Sequence, residues 1–280
     1  EALARLTREA PASVRRRRYD AALRFLLRAK GPRADRLLEH PALDYWLSLW
    51  KSHFSRPAQA EDWHLQFGLA GGFAAALAVE TGAALDCDAV LDPDGRLPLY
   101  DTPWYLAFAG AARIPVRLRA RGGVLSARGE GLEAEFSPAD AAPGGPVRRL
   151  DEAAPGIVVD DRGWLVTHGV TMHGIARLSG APRAAFAATL RRALRDLAER
   201  APLLHAEMLD LLRVVVPLEN PQGHESVSSS FAHLRGLIGL SPSDDPLLQA
   251  ETLIHEFCHM KLNQLLAADP ILLPGQNGQV

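Results

Sequence analysis

The fold and the chemistry are decided by the stretch Ala250-Glu-Thr-Leu-Ile-His-Glu-Phe-Cys-His-Met-Lys-Leu-Asn-Gln-Leu265. Within it, His255, Glu256 and His259 form an H-E-x-x-H pattern. Residues four apart share one face of a helix, so both imidazoles can reach a single metal ion, with Glu256 about 100° round the helix. Just upstream, Ser243-Asp244-Asp245-Pro246 places a cap-forming group before a proline, which predicts that the helix begins there.

The remaining side chains of this helix predict which of its faces is buried. Thr252 and Asn263 share a sector with His255, His259 and Glu256. Most of the other positions are apolar or sulfur-containing: Leu253, Ile254, Phe257, Cys258, Met260 and Leu265. We therefore expect a buried helix with one polar stripe, whose groups must be paired or bind metal, and we expect the Cys258 thiol to fill the core. The alternative is a solvent-facing stripe that carries two unrelated histidines.

The third metal ligand is not fixed by the sequence. A metzincin has a histidine six residues after the motif, where this chain has Leu265. A gluzincin has a glutamate on a following helix, and no glutamate follows Glu256 in this sequence. Upstream, His224 and His233 flank a serine-rich stretch and could supply a ligand, while His168 and His173 are weaker choices. Downstream, Asp269 is the only carboxylate in the sequence. We expect the ligand to come from upstream or, because the chain ends in a loop-like segment, from beyond Val280.

Composition narrows the class of protein. The 280 residues are 48% hydrophobic, and 31 Lys and Arg balance 33 Asp and Glu, which argues against disorder and against nucleic-acid binding. Two cysteines, Cys87 and Cys258, cannot form a disulfide framework, so a reducing cytoplasm is the expected location. The longest apolar run, 67–79, is too short to cross a membrane and predicts a buried helix. Oligomeric state leaves no readable signal.

The pattern along the chain predicts an α+β fold in three regions. Residues 1–112 are predicted to be largely helical, and 113–180 to form a small antiparallel β region with alternating strands at 116–120, 124–128 and 132–136. Region 181–280 is predicted to hold one long helix over 183–212 and then the metal helix. Strand-like runs at 214–218 and 234–240 would form a short sheet beside that helix.

The segment from Leu240 to Leu265 resembles the HExxH-motif proteins found beside ribosomally made peptide natural products. The resemblance includes Lys261 and Leu262, which follow the motif after Met260, and it is specific over roughly the fifty residues before Ala268. It implies a zincin-like fold and hydroxylation, dependent on Fe(II) and 2-oxoglutarate, of a side-chain β-carbon in a precursor peptide. His255 and His259 would then bind iron, with Glu256 in or beside its coordination shell. For the oxoglutarate carboxylate, Arg235 is the partner that the chain offers.

Spacing alone does not choose the metal. Zinc would acidify a bound water for Glu256 to deprotonate, which describes a metallopeptidase, whereas iron would leave positions open for a keto acid and dioxygen. A precursor-binding scaffold with a structural or lost metal site is a third alternative. In both enzyme classes the peptide could add to a free edge of the strand at 234–240, where we expect Gly236, Leu237, Ile238 and Gly239 to line the substrate, or that strand could be ordinary core.

Overall fold

The structure is a computed structural model that describes residues 18–53, 60–139, 145–163, 165–166, 170, 174–224 and 226–268. Helices and strands are both abundant, so the chain is a mixed helix-and-sheet protein, in line with the coarse part of the predicted class. Its Cα positions separate into two compact units, one of residues 1–152 and 162–169, the other of 153–161 and 170–280. No helix in the described ranges is long and apolar enough to cross a membrane.

The first unit contains four helices and two antiparallel sheets within the described residues. The helices are α1 Tyr19–Arg28, α2 Pro32–Leu38, α3 Pro41–His53 and α4 Ala60–Thr81. The strands of the first sheet, in spatial order, are β1 Leu85–Val90, β4 Pro115–Arg121, β5 Val124–Gly129 and β6 Leu132–Phe136. A smaller sheet joins β2 Arg96–Pro98, β3 Trp104–Ala107 and β7 Val147–Arg149. The antiparallel pairing predicted for β4, β5 and β6 is confirmed. The first strand begins at Leu85, within the region 1–112 that was predicted to be largely helical.

Helix α4 is the centre of this unit. Every residue from 67 to 79 is buried, which confirms the buried helix predicted from the apolar run. The helix lies very close to the strands because three of its residues are glycines. A Cβ atom at Gly72 would stand 2.5 Å from the carbonyl oxygen of Pro98, and one at Gly71 would stand 2.3 Å from the Ala89 Cβ. Glycine is therefore required here for close packing.

The second unit carries the predicted metal helix. Its helices are α5 Gly180–Arg200, α6 Pro202–Leu211 and α7 Pro246–Ala268. Its sheet has the spatial order β11 Ser228–Ser230, β12 Leu237–Leu240, β10 Val214–Pro217, β9 Ile157–Val159 and β8 Asp151–Ala154. Strands β12, β10 and β9 are parallel, while β11 pairs antiparallel to β12. The parallel core of this sheet was not predicted by the sequence pattern.

The single helix predicted over 183–212 is two helices. The break falls at Ala201 and Pro202, where α5 ends and α6 begins. Proline has no N–H to donate into a continuing helix, and its ring clashes with the carbonyl four residues earlier. Pro202 therefore occupies the first position of α6, where the missing donor costs nothing. The core beneath both helices joins Phe186, Leu190, Leu212 and Val215 to Phe257 of α7.

Candidate functional site

Helix α7 begins where the sequence predicted, and its first turn is fixed by polar contacts. The Asp245 carboxylate accepts the N–H of Leu247 at 2.8 Å, which caps the helix. Gln249 is fully buried and donates its side-chain amide to the Ser241 carbonyl at 2.8 Å. The Ser241 hydroxyl in turn accepts the N–H of Val227 at 2.8 Å. This chain of bonds fixes α7 relative to the end of β12 and the start of β11.

The two histidines of the motif point at the same place. Their Nε2 atoms lie 3.1 Å apart, and the ring planes are inclined at 72°. Two nitrogen ligands that occupy neighbouring positions, each about 2.1 Å from one metal ion, are themselves about 3 Å apart. A nitrogen pair at this distance can share one proton or bind one cation. The donor set therefore fits a divalent transition metal held by His255 and His259.

Glu256 lies on the buried side of the same turn. Its side chain is 7% exposed, whereas that of His255 is 63% exposed. The Ser228 hydroxyl of β11 donates a 2.7 Å hydrogen bond to Glu256 Oε1, and this same oxygen is 4.0 Å from His255 Nε2. The carboxylate is thus held beside the histidine pair by a residue from the neighbouring strand. Since a buried carboxylate needs hydrogen-bond donors, Ser228 also stabilises its position.

The outer face of α7 differs from the predicted one. Leu253, Phe257 and Met260 are buried as expected, but Cys258 is exposed and Leu265 is 63% exposed. The prediction that the Cys258 thiol fills the core is therefore wrong. The helix is buried against α5, β11 and β12 on one side only, so positions on the opposite side share the open face with the two histidines.

Exposure of the histidines is also what a solvent-facing stripe would show, so it does not separate the two interpretations. The convergence of their Nε2 atoms and the burial of Glu256 next to them do favour a metal site. Independent rotamers of two surface histidines have no reason to bring these nitrogens together. A surface glutamate would likewise have no reason to be buried and held by a serine.

Within the described residues, the candidates for a third metal ligand do not form a cluster with His255 and His259. His224 lies in its own loop, where its ring bonds the Gln222 side chain at 2.6 Å. His233 is exposed in the turn between β11 and β12, where its ring meets Phe231 edge-on. Across the described ranges no group of three His, Cys, Asp or Glu side chains could hold a metal ion. Asp269, His168 and His173 lie outside the described residues.

Arg235, the predicted partner of oxoglutarate, lies at the wrong end of the β11–β12 hairpin for that role. It is exposed in the turn that precedes β12, whereas Ser228, which holds Glu256, pairs with Leu240 at the far end of the strand. Arg235 is five positions before Leu240 and precedes the extended strand Leu237–Leu240, which itself spans about 10 Å. The structure therefore does not bring Arg235 beside Glu256.

The free edge expected for the strand at 234–240 is absent. Strand β12 pairs with β10 on one side and with β11 on the other, so its backbone groups are already used. Gly236, Leu237, Ile238 and Gly239 are all buried, and a Cβ atom at Gly239 would stand 2.9 Å from the Leu218 side chain. The expectation that a peptide adds to β12 is corrected, because these residues pack in the core. Within the described residues, the edge beside α7 belongs to β11.

Two positions near the motif gained a role that sequence reasoning missed. Ser228 holds Glu256, and the only signal for it was its place in a serine-rich stretch of strand length. Lys261, which was noted only as part of the resemblance, donates to Glu207 of α6 at 2.5 Å. Its ammonium also lies 5.8 Å from the centre of the Phe257 ring. Lys261 thus ties α7 to α6 and does not face the histidine pair.

Comparison with known proteins adds no assignment. No protein-family model and no curated protein matches this chain. The chemistry must therefore be argued from the site itself, which combines two convergent imidazoles, a buried carboxylate beside them and a strand edge next to the helix.

Proposed function

We propose that the second unit is the metal-dependent catalytic part of an enzyme that modifies a peptide. The observation that carries this proposal is the 3.1 Å separation of the His255 and His259 Nε2 atoms beside the buried Glu256. A site with two neutral imidazoles leaves several coordination positions for substrate or cofactor. The zincin-like class is supported by the place of α7 against a mixed sheet whose last strand, β11, runs antiparallel to its neighbour.

The edge of β11 supports a peptide as the substrate. An edge strand presents unpaired N–H and C=O groups to which an extended peptide can add. One strand residue, Ser228, touches Glu256, so a peptide added along this edge would run next to the histidine pair. A ribosomally made precursor peptide, as the resemblance implies, is the substrate we propose.

Hydroxylation of a side-chain β-carbon is the reaction we propose for this site. The resemblance of Leu240–Leu265 to HExxH-motif peptide-modification proteins favours iron over zinc. When bound, Fe(II) would activate dioxygen, which is the oxidant of this reaction, and 2-oxoglutarate would supply electrons for that activation. Arg235 does not lie beside the site, so the described residues that were predicted for oxoglutarate do not fit it, and we derive no step through that cofactor.

The residues of the chain have separate tasks in this proposal. His255 and His259 supply two nitrogen ligands from one helix face, and the rigid turn between them fixes their separation. Glu256 stays buried, held by the Ser228 hydroxyl, with its Oε1 atom 4.0 Å from His255 Nε2. From there it can orient a hydrogen-bond donor of the bound substrate or take a proton from one. A cytoplasmic location remains a prediction from the cysteine content.

A zinc metallopeptidase is the second candidate, and the placement of Glu256 favours it. A carboxylate close to the metal ligands is suited to take the proton of a metal-bound water. The same residues serve both reactions, so the identity of the metal and of the product must decide between them.

Two assays on protein purified without oxygen test the proposal. Once Fe(II), 2-oxoglutarate and dioxygen are added back with a pool of synthetic peptides, we expect 2-oxoglutarate to be converted to succinate and CO₂, and the peptide mass to increase by one oxygen atom taken from dioxygen. Zinc-dependent cleavage of a quenched fluorescent casein, lost in Glu256→Gln, would establish the peptidase instead. Absence of both activities together with full metal binding would indicate a scaffold with a structural metal.

Matched histidine variants control these assays. His255→Ala and His259→Ala are expected to abolish turnover, whereas His224→Ala should retain it, because that ring bonds Gln222 in its own loop. Equal loss in all three variants would show that the histidine pair has no special role.

A further inference from the structure

A concave site lies in the same unit, on helices that do not carry the histidine motif. It is a groove of about 480 Å³ lined by α5, α6 and the end of strand β8. This volume is within the range of ligand-binding clefts, which is about 300–1,000 Å³. None of its lining residues belongs to α7, so whatever it binds need not touch the motif.

The ionisable residues that line this groove are all basic. Its ionisable lining residues are Arg191, Arg195 and His205, and no Asp or Glu is among the described residues that line it. Arg191 and Arg195 are four apart on α5 and both are exposed, so their guanidinium groups lie on one face of the helix. Arginine binds carboxylates with paired N–H donors, which makes this wall suited to acidic groups.

The rest of the lining is aliphatic. Leu194 is 3% exposed and belongs to the hydrophobic core, and Leu209 packs against that core from α6. Alanines of α5 and β8 complete the surface. A ligand that matches this groove must therefore bring apolar side chains as well as negative charge, which excludes a small inorganic anion as the best fit.

One side of the groove is lined by the strand at one end of the sheet. Strand β8 is the last strand of its sheet within the described residues, and its Ala153 and Ala154 line the groove. Edge strands offer backbone donors and acceptors to an extended chain, and neighbouring pockets then select its side chains. The edge and the arginine wall are independent observations, and both point to a peptide.

We propose that this groove binds an extended acidic peptide segment, which pairs with β8 and places its carboxylates against Arg191 and Arg195 and its aliphatic side chains over Leu194 and Leu209. This binding does not depend on the proposed metal chemistry. It gives the unit a second contact with a peptide, at a place where no reaction occurs.

Binding of a labelled probe peptide to the full-length chain without added metal tests the proposal. The probe is fluorescein-Glu-Asp-Leu-Val-Glu-Asp-Leu-Val, in which each face of the extended chain carries both acidic and aliphatic groups. We expect anisotropy to report saturable binding that weakens as salt rises. The double variant Arg191→Ala, Arg195→Ala should raise the dissociation constant about tenfold. Arg192→Ala, on the same helix but outside the groove, should change the dissociation constant by less than twofold.

Two altered probes separate the parts of the proposal. Replacement of the acids by Gln and Asn should weaken binding as much as loss of the arginines does, and N-methylation at alternate residues should abolish it by blocking strand pairing. Equal binding of the acidic and neutral probes, equal loss in the Arg192 variant, or unchanged binding of the N-methylated probe would overturn the proposal. Circular dichroism of each variant confirms that the comparison is made between folded proteins.

Discussion

Helices α4 and α7 are nearly equal in length, at 22 and 23 residues, but they have different surroundings. In α4, every residue from 67 to 79 is buried. In α7, one face packs in the core through Phe257 and Leu253, while the other exposes His255 and His259. A helix enclosed on all sides serves to hold the fold, whereas a helix with one open face can present ligands to solvent while its other face keeps them rigid.

The largest effect should follow a change at the boundary between the two faces of α7. Glu256→Gln keeps the shape and the contact with Ser228 but removes the charge. We expect turnover to fall by about 10²–10⁴-fold with metal content unchanged, as measured by activity and metal analysis on the same sample. Glu251→Gln is the matched control, since Glu251 is exposed on the same helix. Comparable loss in both variants would contradict the role given to Glu256.

The second largest effect should come from Asp92, a carboxyl group that is buried in the first unit, unlike the exposed histidines of α7. Asp92 is fully buried, with Oδ1 accepting the N–H groups of Asp94 and Arg96 at 2.9 Å, and burial raises the pKa of its carboxyl to about 6. Between about pH 4 and pH 6 the folded state keeps a proton that the unfolded state releases. The free energy of unfolding should therefore fall as pH rises through this interval, by roughly 3 kcal/mol from this group.

Asp92→Asn tests this pH dependence. The variant keeps an oxygen acceptor for the two N–H groups but cannot ionise, so the part of the slope due to Asp92 should vanish. Urea unfolding of both proteins between pH 4 and pH 7 measures the difference between their slopes. If the free energy of unfolding had the same pH dependence in both proteins, burial would not raise the pKa of the Asp92 carboxyl in the folded state.

The sequence predicted those features that depend on neighbours along the chain. The start of α7 at Pro246, the buried run at 67–79 and the three antiparallel strands were predicted from caps and periodicity, and the structure has them. The break at Pro202 was missed although its signal was present, because the leucine spacing on both sides of it remained helical.

Features that depend on contacts between distant segments could not be predicted. The bond from Ser228 to Glu256 joins residues 28 positions apart, and serine in a strand has no pattern that names its partner. The exposure of Cys258 depends on which side of α7 packs against the sheet. A helical wheel gives the angular position of each side chain, but it does not show which side of the helix is buried. The interior place of β12 likewise depends on β10 and β11, which pair with it from other parts of the chain.

A smaller effect should follow an added methyl group on the enclosed helix. Gly72→Ala would put a Cβ atom 2.5 Å from the Pro98 carbonyl oxygen, and overpacking of this kind costs about 1–3 kcal/mol. Because alanine favours a helix by about 1 kcal/mol over glycine, we expect the free energy of unfolding to fall by a net amount of about 0–2 kcal/mol, measured by urea unfolding. A variant more stable than the parent would show that α4 is not tightly packed against β2.

The smallest effect is expected at the tie between α7 and α6. Lys261→Ala removes a partly exposed ion pair with Glu207, and pairs of this kind contribute about 0.2–1 kcal/mol. A double-mutant cycle with Glu207→Gln isolates this energy from other effects. A loss of activity far larger than the loss of stability would instead place Lys261 in the site.

Anaerobic titration of the metal-free chain with Co²⁺, followed by visible absorption, tests most directly whether His255 and His259 hold a metal ion. We expect one equivalent of Co²⁺ to bind per chain, with the absorption lost in His255→Ala and in His259→Ala but kept in His224→Ala and His233→Ala. If both motif variants bound Co²⁺ with the same stoichiometry and spectrum as the parent protein, the convergence of the two Nε2 atoms would not be a metal site.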